Sequence, residues 1–336
     1  MATVYDVAEK AGVSIATVSR AMRGQDSVTA EARDRVLAAA RELGYRPNRL
    51  AQTLARPAEN TLGIMLPSDF THPFYAMLTD EMTKSALAHS YDVVIGVSGR
   101  PTVEGFVDAA TDLEDRRITG MLLCGNAEAV AGYVDTRRPE APPTVLVGGI
   151  AGAGLPLVSV DEEQGGYDAT RYLIEAGHER IGFLGLTANT YRTNGREHGY
   201  TRAIEEAGLE PAMRGVVVTM DAGRREVCAM MQEHSDLTAL VAFNDAVALG
   251  AIRGLADAGL RVPEDVSVIG FDDIPQGRYS VPALTTVGVP VEEMARQAVH
   301  MLAALIEPTG DGPNGGELFL EPELQIRDSV RLNDGV

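Results

Sequence analysis

Apolar positions along the chain follow one period at the start and another afterwards. From Thr3 to Ala11, Val4, Val7, Ala8 and Ala11 fall at i, i+3, i+4 and i+7, one apolar stripe on a short helix. Thr3 and Asp6 are spaced as a capping box at its start, and Gly12 breaks it. Ser14 is placed to cap a second helix whose Val18, Ala21 and Met22 turn inward, leaving Ile15, Ala16, Ser19, Arg20 and Arg23 outside. A third helix runs from a cap at Thr29 to Gly44, with Ala32, Val36, Ala40 and Leu43 inward. Two helices joined by a Gly-containing turn, with a third closing the core, read as a helix-turn-helix headpiece. A short helix over 47–55 follows, with Pro47 at its first position and Pro57 beyond its end. An isolated helix under about 12 residues is marginal in water, so this one needs a surface to fold on. Its Leu50, Ala51 and Leu54 lie on one side, a stripe suited to wedging between base steps.

Residues 56–60 read as a linker, and from Leu62 the pattern becomes strand, polar loop, helix, repeated. Strands are predicted at Leu62–Leu66, Tyr91–Val97, Gly120–Cys124 and Pro143–Val147, with helices at Phe74–His89 and Val103–Arg116. The rhythm restarts with helices at Asp161–Ala176, Arg196–Ala207 and Asp245–Ala258, and strands at Arg180–Leu186, Val216–Met220, Thr238–Phe243 and Val266–Phe271. Two such runs predict an α/β body of two lobes, each a doubly wound parallel sheet.

At 336 residues, 45% of them hydrophobic, the chain has room for two or three domains. No apolar run reaches about 18 residues, so no membrane span is expected. The N-terminal stretch Met1–Asp6 lacks a basic region followed by an apolar one, which argues against export. Cys124 and Cys228 sit in apolar surroundings without nearby partners, which fits a reducing cytoplasm. The net charge of −19 is unevenly divided. Residues 1–60 carry 9 Lys/Arg against 7 Asp/Glu, a net of +2, while residues 61–336 carry 20 against 41, a net of −21. A weakly basic headpiece implies few, salt-sensitive phosphate contacts, and an acidic body repels DNA elsewhere.

In doubly wound sheets, ligands sit at the carboxyl ends of the strands. The polar groups available there are Arg196, Asn244 and Asp272, with Arg192 a further candidate; Phe74 and Tyr191 offer aromatic faces. A carboxylate accepting from hydroxyls and an Arg fork donating to oxygens suit a sugar or polyol. Plainer readings stay open: Asp272 and Asp273 as caps of the next turn, and Arg196 as the structural partner of a carboxylate. The glycine-rich stretch 148–154 is followed by Leu-Pro and offers no helix start to a phosphate, and there is no Gly-Lys-Ser/Thr loop. The six His residues show no metal spacing; His72 lies near the expected pocket mouth, where a lone His reads as a hydrogen-bonding residue. No cofactor and no catalytic constellation is predicted.

Tyr5-Asp6-Val7-Ala8, Ala11-Gly12-Val13-Ser14, Thr17-Val18-Ser19-Arg20 and Tyr45-Arg46-Pro47-Asn48 together resemble the headpiece of LacI/GalR-family transcriptional regulators. The resemblance continues in Asn244-Asp245, Val266 to Asp273 and Leu284-Thr285-Thr286-Val287, and so spans nearly the whole chain. It implies a headpiece over 1–57 and a periplasmic-binding-protein-like body over 58–336. Lobe 1 would take about 60–159 and 288–318, and lobe 2 about 160–287 and 319–333. It further implies a cytoplasmic repressor, not an enzyme, that binds double-stranded operator DNA as a homodimer and answers to a small effector, a sugar or sugar derivative.

The expected DNA-binding residues are Thr3, Ser14, Ile15, Ala16, Thr17, Ser19, Arg20, Asn48, Arg49, Ala51 and Leu54. Arg20 is assigned to a guanine, whose O6 and N7 match a guanidinium fork. Ile15 and Ala16 hold the family's operator-tuning positions, Thr17, Ser19, Asn48 and Arg49 position the backbone, and Leu54 is the wedge with Ala51 beside it. The expected effector residues are Thr71, Phe74, Met77, Tyr191, Arg192, Arg196, Asn244 and Asp272. Gly148 and Val289 replace an acid and a polar side chain of some sugar-binding members, which implies a different ligand. The C-terminus shows no leucine heptad, so no tetramerising tail is expected. Two rival classes share the α/β body. A solute-binding transport component needs an export signal and no headpiece, and a nucleotide-dependent enzyme needs a phosphate loop or a catalytic constellation.

Overall fold

The computed structural model describes residues 2–22, 28–45, 60–67, 72–100, 102–149, 151–186, 195–307 and 316–332. They fall into two units, Met1–Glu59 and Asn60–Val336.

In the first unit, α1 (Val4–Ala11), α2 (Ile15–Met22) and α3 (Ala30–Glu42) surround a small core of Val7, Ala8, Ala11, Val18, Ala21, Val28, Val36, Ala39 and Ala40. The capping box forms. Asp6 N–H donates to Thr3 Oγ1 at 3.4 Å, and Thr3 N–H donates to Asp6 Oδ2 at 2.7 Å. Those bonds hold the Asp6 carboxyl below its usual range. Gly12 ends α1 at φ 63°, a left-handed turn that glycine adopts without steric cost. Thr29 accepts from Ala32 N–H at the start of α3. The short helix expected over 47–55, with Asn48, Arg49, Ala51 and Leu54, lies outside the described residues, as does Arg23.

The second unit holds two six-stranded sheets. The first contains β1 (Thr61–Leu66), β2 (Asp92–Val97), β3 (Gly120–Leu123), β4 (Thr144–Val147), β5 (Leu157–Val160) and β11 (Glu317–Leu320), in the order β11-β5-β4-β3-β1-β2. The second contains β6 (Ile181–Leu186), β7 (Ala212–Val216), β8 (Ala239–Ala242), β9 (Ser267–Asp272), β10 (Thr285–Gly288) and β12 (Glu323–Gln325), in the order β12-β10-β9-β8-β6-β7. Every pairing is parallel except β10 with β12. The central strands are fully buried and mostly apolar, as required when helices cover both faces. The chain passes between lobes three times: after β5, after β10, and between β11 and β12. One apolar cluster runs through both lobes, from Leu62 and Ile64 to Phe183, Ile269 and Phe271.

Among the helices, α4 (Pro73–Ala88), α5 (Val103–Asp115), α6 (Ala127–Thr136) and α12 (Val291–Ile306) belong to the first lobe, with α7 (Glu162–Glu175), α8 (Gly195–Glu206), α9 (Met220–Glu233), α10 (Asp245–Asp257) and α11 (Pro275–Tyr279) in the second. One expected element is wrong. The strand placed at Val216–Met220 is β7 at Ala212–Val216, and Met220 opens α9, because Thr219 caps that helix by accepting from Ala222 N–H at 3.1 Å. Strands β5, β10 and β11 and helices α6, α9, α11 and α12 have no counterpart among the elements that the sequence pattern predicts.

The sheet orders fix where ligand chemistry belongs. Order reverses at β1 in the first sheet and at β6 in the second. Beyond β1 lie His72 and α4; beyond β6 lies Arg196, in the first turn of α8.

Candidate DNA-reading face and inter-lobe cleft

On α2, Val18 and Ala21 face the core, while Ser14, Ile15, Ala16 and Arg20 are exposed, and Thr17 and Ser19 half-buried. Ser14 and Thr17 complete the helix start: Thr17 N–H donates to Ser14 Oγ at 3.1 Å, and the two hydroxyls lie 2.9 Å apart. Their polar groups therefore build the second helix as well as edging its outer face. Thr3 likewise commits its N–H and hydroxyl to Asp6. Arg20 differs. Its Nε donates to Ala16 O at 3.2 Å, laying an exposed guanidinium along the helix. The outer face of α2 thus carries one cationic fork beside the apolar Ile15 and Ala16, chemistry that can pair with a guanine edge and touch a thymine methyl.

In the body, the strand ends of both sheets converge on a cluster that joins the lobes. Asn244 caps α10, its Oδ1 accepting from Val247 N–H at 3.0 Å. That orients Nδ2 toward the other lobe, where it lies 2.8 Å from His72 Nε2. Since the amide donates, His72 Nε2 must accept, and the ring is neutral. Its Nδ1 is buried without a partner among the described residues. Phe74 and Tyr75 pack around this imidazole, with ring centroids 6.5 and 5.4 Å away. Phe74 and Met77 are half-buried on the first turns of α4.

Arg196 is 8% exposed and already engaged. Nε and Nη2 donate to Glu162 Oε1 at 3.2 and 2.8 Å, and Nη1 donates to Phe243 O at 2.7 Å. Asp272 Oδ1 stands 3.6 Å from Nη1, a charge contact too long for a hydrogen bond. The Phe271 and Phe243 rings lie 3.8 and 4.6 Å from the guanidinium carbon. Of the two plainer readings, the Arg196–carboxylate pair is present, with Glu162. The capping reading is not: α11 begins at Ile274 without a side-chain cap. Asp272 instead takes φ 112°, a strained value for a residue with a Cβ. The turn is held by Asp245, which accepts from Ile274 N–H and Thr286 Oγ1, and by Asp273, which pairs with Arg278 and Arg327.

The structure therefore brings Arg196, Asn244 and Asp272 into one cluster and sets Phe74 at its edge. Thr71, Tyr191 and Arg192 lie outside the described residues. Sequence reasoning missed Glu162 and Tyr75. An acid in the first turn of a helix is an ordinary partner of the helix dipole, so nothing marked Glu162 as turned toward Arg196.

Two members of the cluster titrate in opposite senses. Burial, reinforced by Glu162 and opposed by Arg196, pushes Asp272 up to about 7. Burial, then the Arg196 charge, brings His72 down to about 4. A raised carboxyl contributes stability that is full at acid pH and lost as pH climbs through 7; a lowered imidazole contributes stability that is full above its ordinary value and lost as pH falls through 4. Asp272→Asn is therefore expected to gain melting temperature relative to the parent between about pH 4 and 7, and His72→Gln between about pH 6.5 and 4 as the pH is lowered. Thermal unfolding across that range checks both, and curves parallel to the parent would contradict the assignment.

Among the described residues no helix is long and apolar enough to cross a membrane, and no group of three or more His, Cys, Asp or Glu side chains is arranged to hold a metal ion.

Residues 3–48 match the model for "Bacterial regulatory proteins, lacI family", and residues 170–330 match a "Periplasmic binding protein-like domain". The chain is 33% identical to the HTH-type transcriptional repressor CytR of Escherichia coli K12, over 98% of this chain and 96% of that one. It is 32% identical to catabolite control protein A of Priestia megaterium, over 89% and 91%. Among solved structures, the lac repressor dimer bound to operator and the anti-inducer ONPF superposes with a TM-score of 0.86 at 27% identity, covering 98% of this chain and 99% of that one. A complex of the transcriptional regulator CelR with cellobiose gives 0.71 at 29% identity, covering 98% and 100%.

Proposed function

Since the chain belongs to the lacI family of bacterial regulatory proteins, we propose that it is a cytoplasmic transcriptional repressor, binding a symmetric operator as a homodimer under the control of a small metabolite. It is a regulator and not an enzyme. The observation that carries the control mechanism is the bond between His72 and Asn244, which ties the two lobes together at their strand ends.

In this reading α2 lies in the major groove, with its N-terminal residues on base edges. Ile15 and Ala16 supply apolar contact, Arg20 reads a guanine, and Thr3, Ser14, Thr17, Ser19, Asn48 and Arg49 fix register on the phosphates. Leu54, with Ala51, is the wedge at the operator centre. Used twice at one centre, such a wedge requires two-fold symmetry. Dimer formation would also give a partner to Tyr279 and Val281, which are 85% and 93% exposed.

The effector, a sugar or sugar derivative, binds in the cleft on Asn244, Asp272 and Arg196, with Phe74 and Met77 from the opposite lobe; Thr71, Tyr191 and Arg192 are the further residues proposed to contact it. It alters operator affinity only as far as it binds open and closed lobes differently, commonly about 1–3 kcal/mol of coupling. Asp272→Ala is expected to abolish the effector response while leaving operator affinity unchanged. Titration of labelled operator with and without effector measures both, and a retained response would move the control site elsewhere.

A further inference from the structure

The ion pair in the cleft decides which chemical class of effector is admissible. This step rests on the cleft being the effector site. A guanidinium grips a phosphate or carboxylate bidentately through a pair of parallel N–H groups. In Arg196 the Nε–Nη2 edge is on Glu162 Oε1, and the guanidinium carbon lies 3.8 and 4.6 Å from the Phe271 and Phe243 ring centroids. One Nη1 proton goes to the Phe243 carbonyl. Among the described residues Arg196 meets two acids here, Glu162 at 2.8 Å and Asp272 at 3.6 Å.

We infer that the cleft takes an uncharged, hydroxyl-bearing ligand and discriminates against the phosphorylated or carboxylated forms of the same compound. A hydroxyl placed between Arg196 and Asp272 can accept from the free Nη1 proton and donate to Oδ1, matching two groups 3.6 Å apart that cannot bond each other directly. A phosphate oxygen only accepts. Its charge would face Glu162 and Asp272, and to take the Nε–Nη2 edge of Arg196 bidentately it would have to displace Glu162, leaving that carboxylate unpaired. Glu162 is thus the residue that sets the charge class of the effector, through Arg196 and without needing to touch the ligand.

Inorganic phosphate is the direct probe, titrated against the full-length protein and its Glu162→Gln variant by thermal shift, with sodium chloride controlling ionic strength. The headpiece is the same in both proteins, so the difference between them reports the cleft. The expected result is at least tenfold tighter phosphate binding by Glu162→Gln, whose amide oxygen still accepts from the Arg196 fork but brings no charge to repel an anion or to hold the fork against one. An equal response from the two proteins, whether present or absent, overturns the inference, as does tighter binding by the parent. A second measurement covers a variant that fails to fold: the parent is screened against neutral glycosides, polyols and nucleosides, each beside its phosphate ester or acid. Larger shifts from neutral members support the inference, and larger shifts from the anionic members overturn it. A shift that survives Asp272→Ala instead sinks the cleft as the effector site, a separate failure.

Discussion

Gly199→Ala is expected to lower stability by about 3 kcal/mol, the upper part of the usual range for overpacking. Helices α7 and α8 cross with their backbones in contact. A Cβ at Gly199 would stand 2.1 Å from Glu163 O and 2.4 Å from Tyr167 N, and one at Gly166 would stand 2.3 Å from Arg196 O. These are main-chain atoms of packed helices and cannot turn aside as a side-chain tip would, so the helices must separate. At roughly 2–4 °C per kcal/mol for a domain of this size, the melting temperature should fall by about 6–12 °C. The effect should also reach the cleft. Glu162 opens α7 and Arg196 lies in the first turn of α8, so parting the helices stretches the 2.8 Å bond between them. Gly99, with no atom within 4 Å of its would-be Cβ, is the control, and its alanine variant should melt with the parent. Equal melting of both variants would show that the crossing relaxes freely.

Arg20→Ala should cost the headpiece its preference for one guanine in each half-site, a discrimination of about 1–3 kcal/mol or roughly 5- to 150-fold. Its neighbours on the exposed face of α2, Ile15 and Ala16, have no donor to replace it. Arg20→Lys separates the two roles available to a cation here, because it keeps the charge and loses the fork. If Arg20 reads a base, both variants relax the sequence at that position. If it only holds a phosphate, lysine restores binding, and alanine weakens binding alike on every sequence. Competition between duplexes differing at single positions gives the answer.

The headpiece was legible because each signal was local. The apolar stripe, the Thr3–Asp6 box, Gly12 and the Thr29 cap lie within a few residues of what they stabilise, and the box and the cap form the bonds their spacing implies. The central strands were legible as apolar runs. Edge strand β7 was not, since Arg214 sits in its middle, paired with Glu226 and Glu233 on α9. Helix α9 was hidden by its own packing. Gly223 and Gly250 lie where α9 meets α10, and their would-be Cβ atoms would stand 2.3 Å from Val247 O and 2.0 Å from Met220 O. Close crossing demands small residues and so erases the large apolar stripe that marks a helix. In the cleft, Arg196, Asn244 and Asp272 were readable as polar residues at strand ends. The bond from Asn244 to His72 spans 172 positions, and the Glu162 contact is likewise made by topology, so neither left a pattern in spacing.

The central claim, a sequence-reading head controlled through a two-lobed body, is tested most directly by selecting duplexes from a random pool with the full-length protein. The account predicts enrichment of an inverted repeat with a guanine in each arm, shifting to relaxed choice at that position for Arg20→Ala. Retention of all sequences alike, or enrichment of an asymmetric site unaffected by Arg20→Ala, would contradict it.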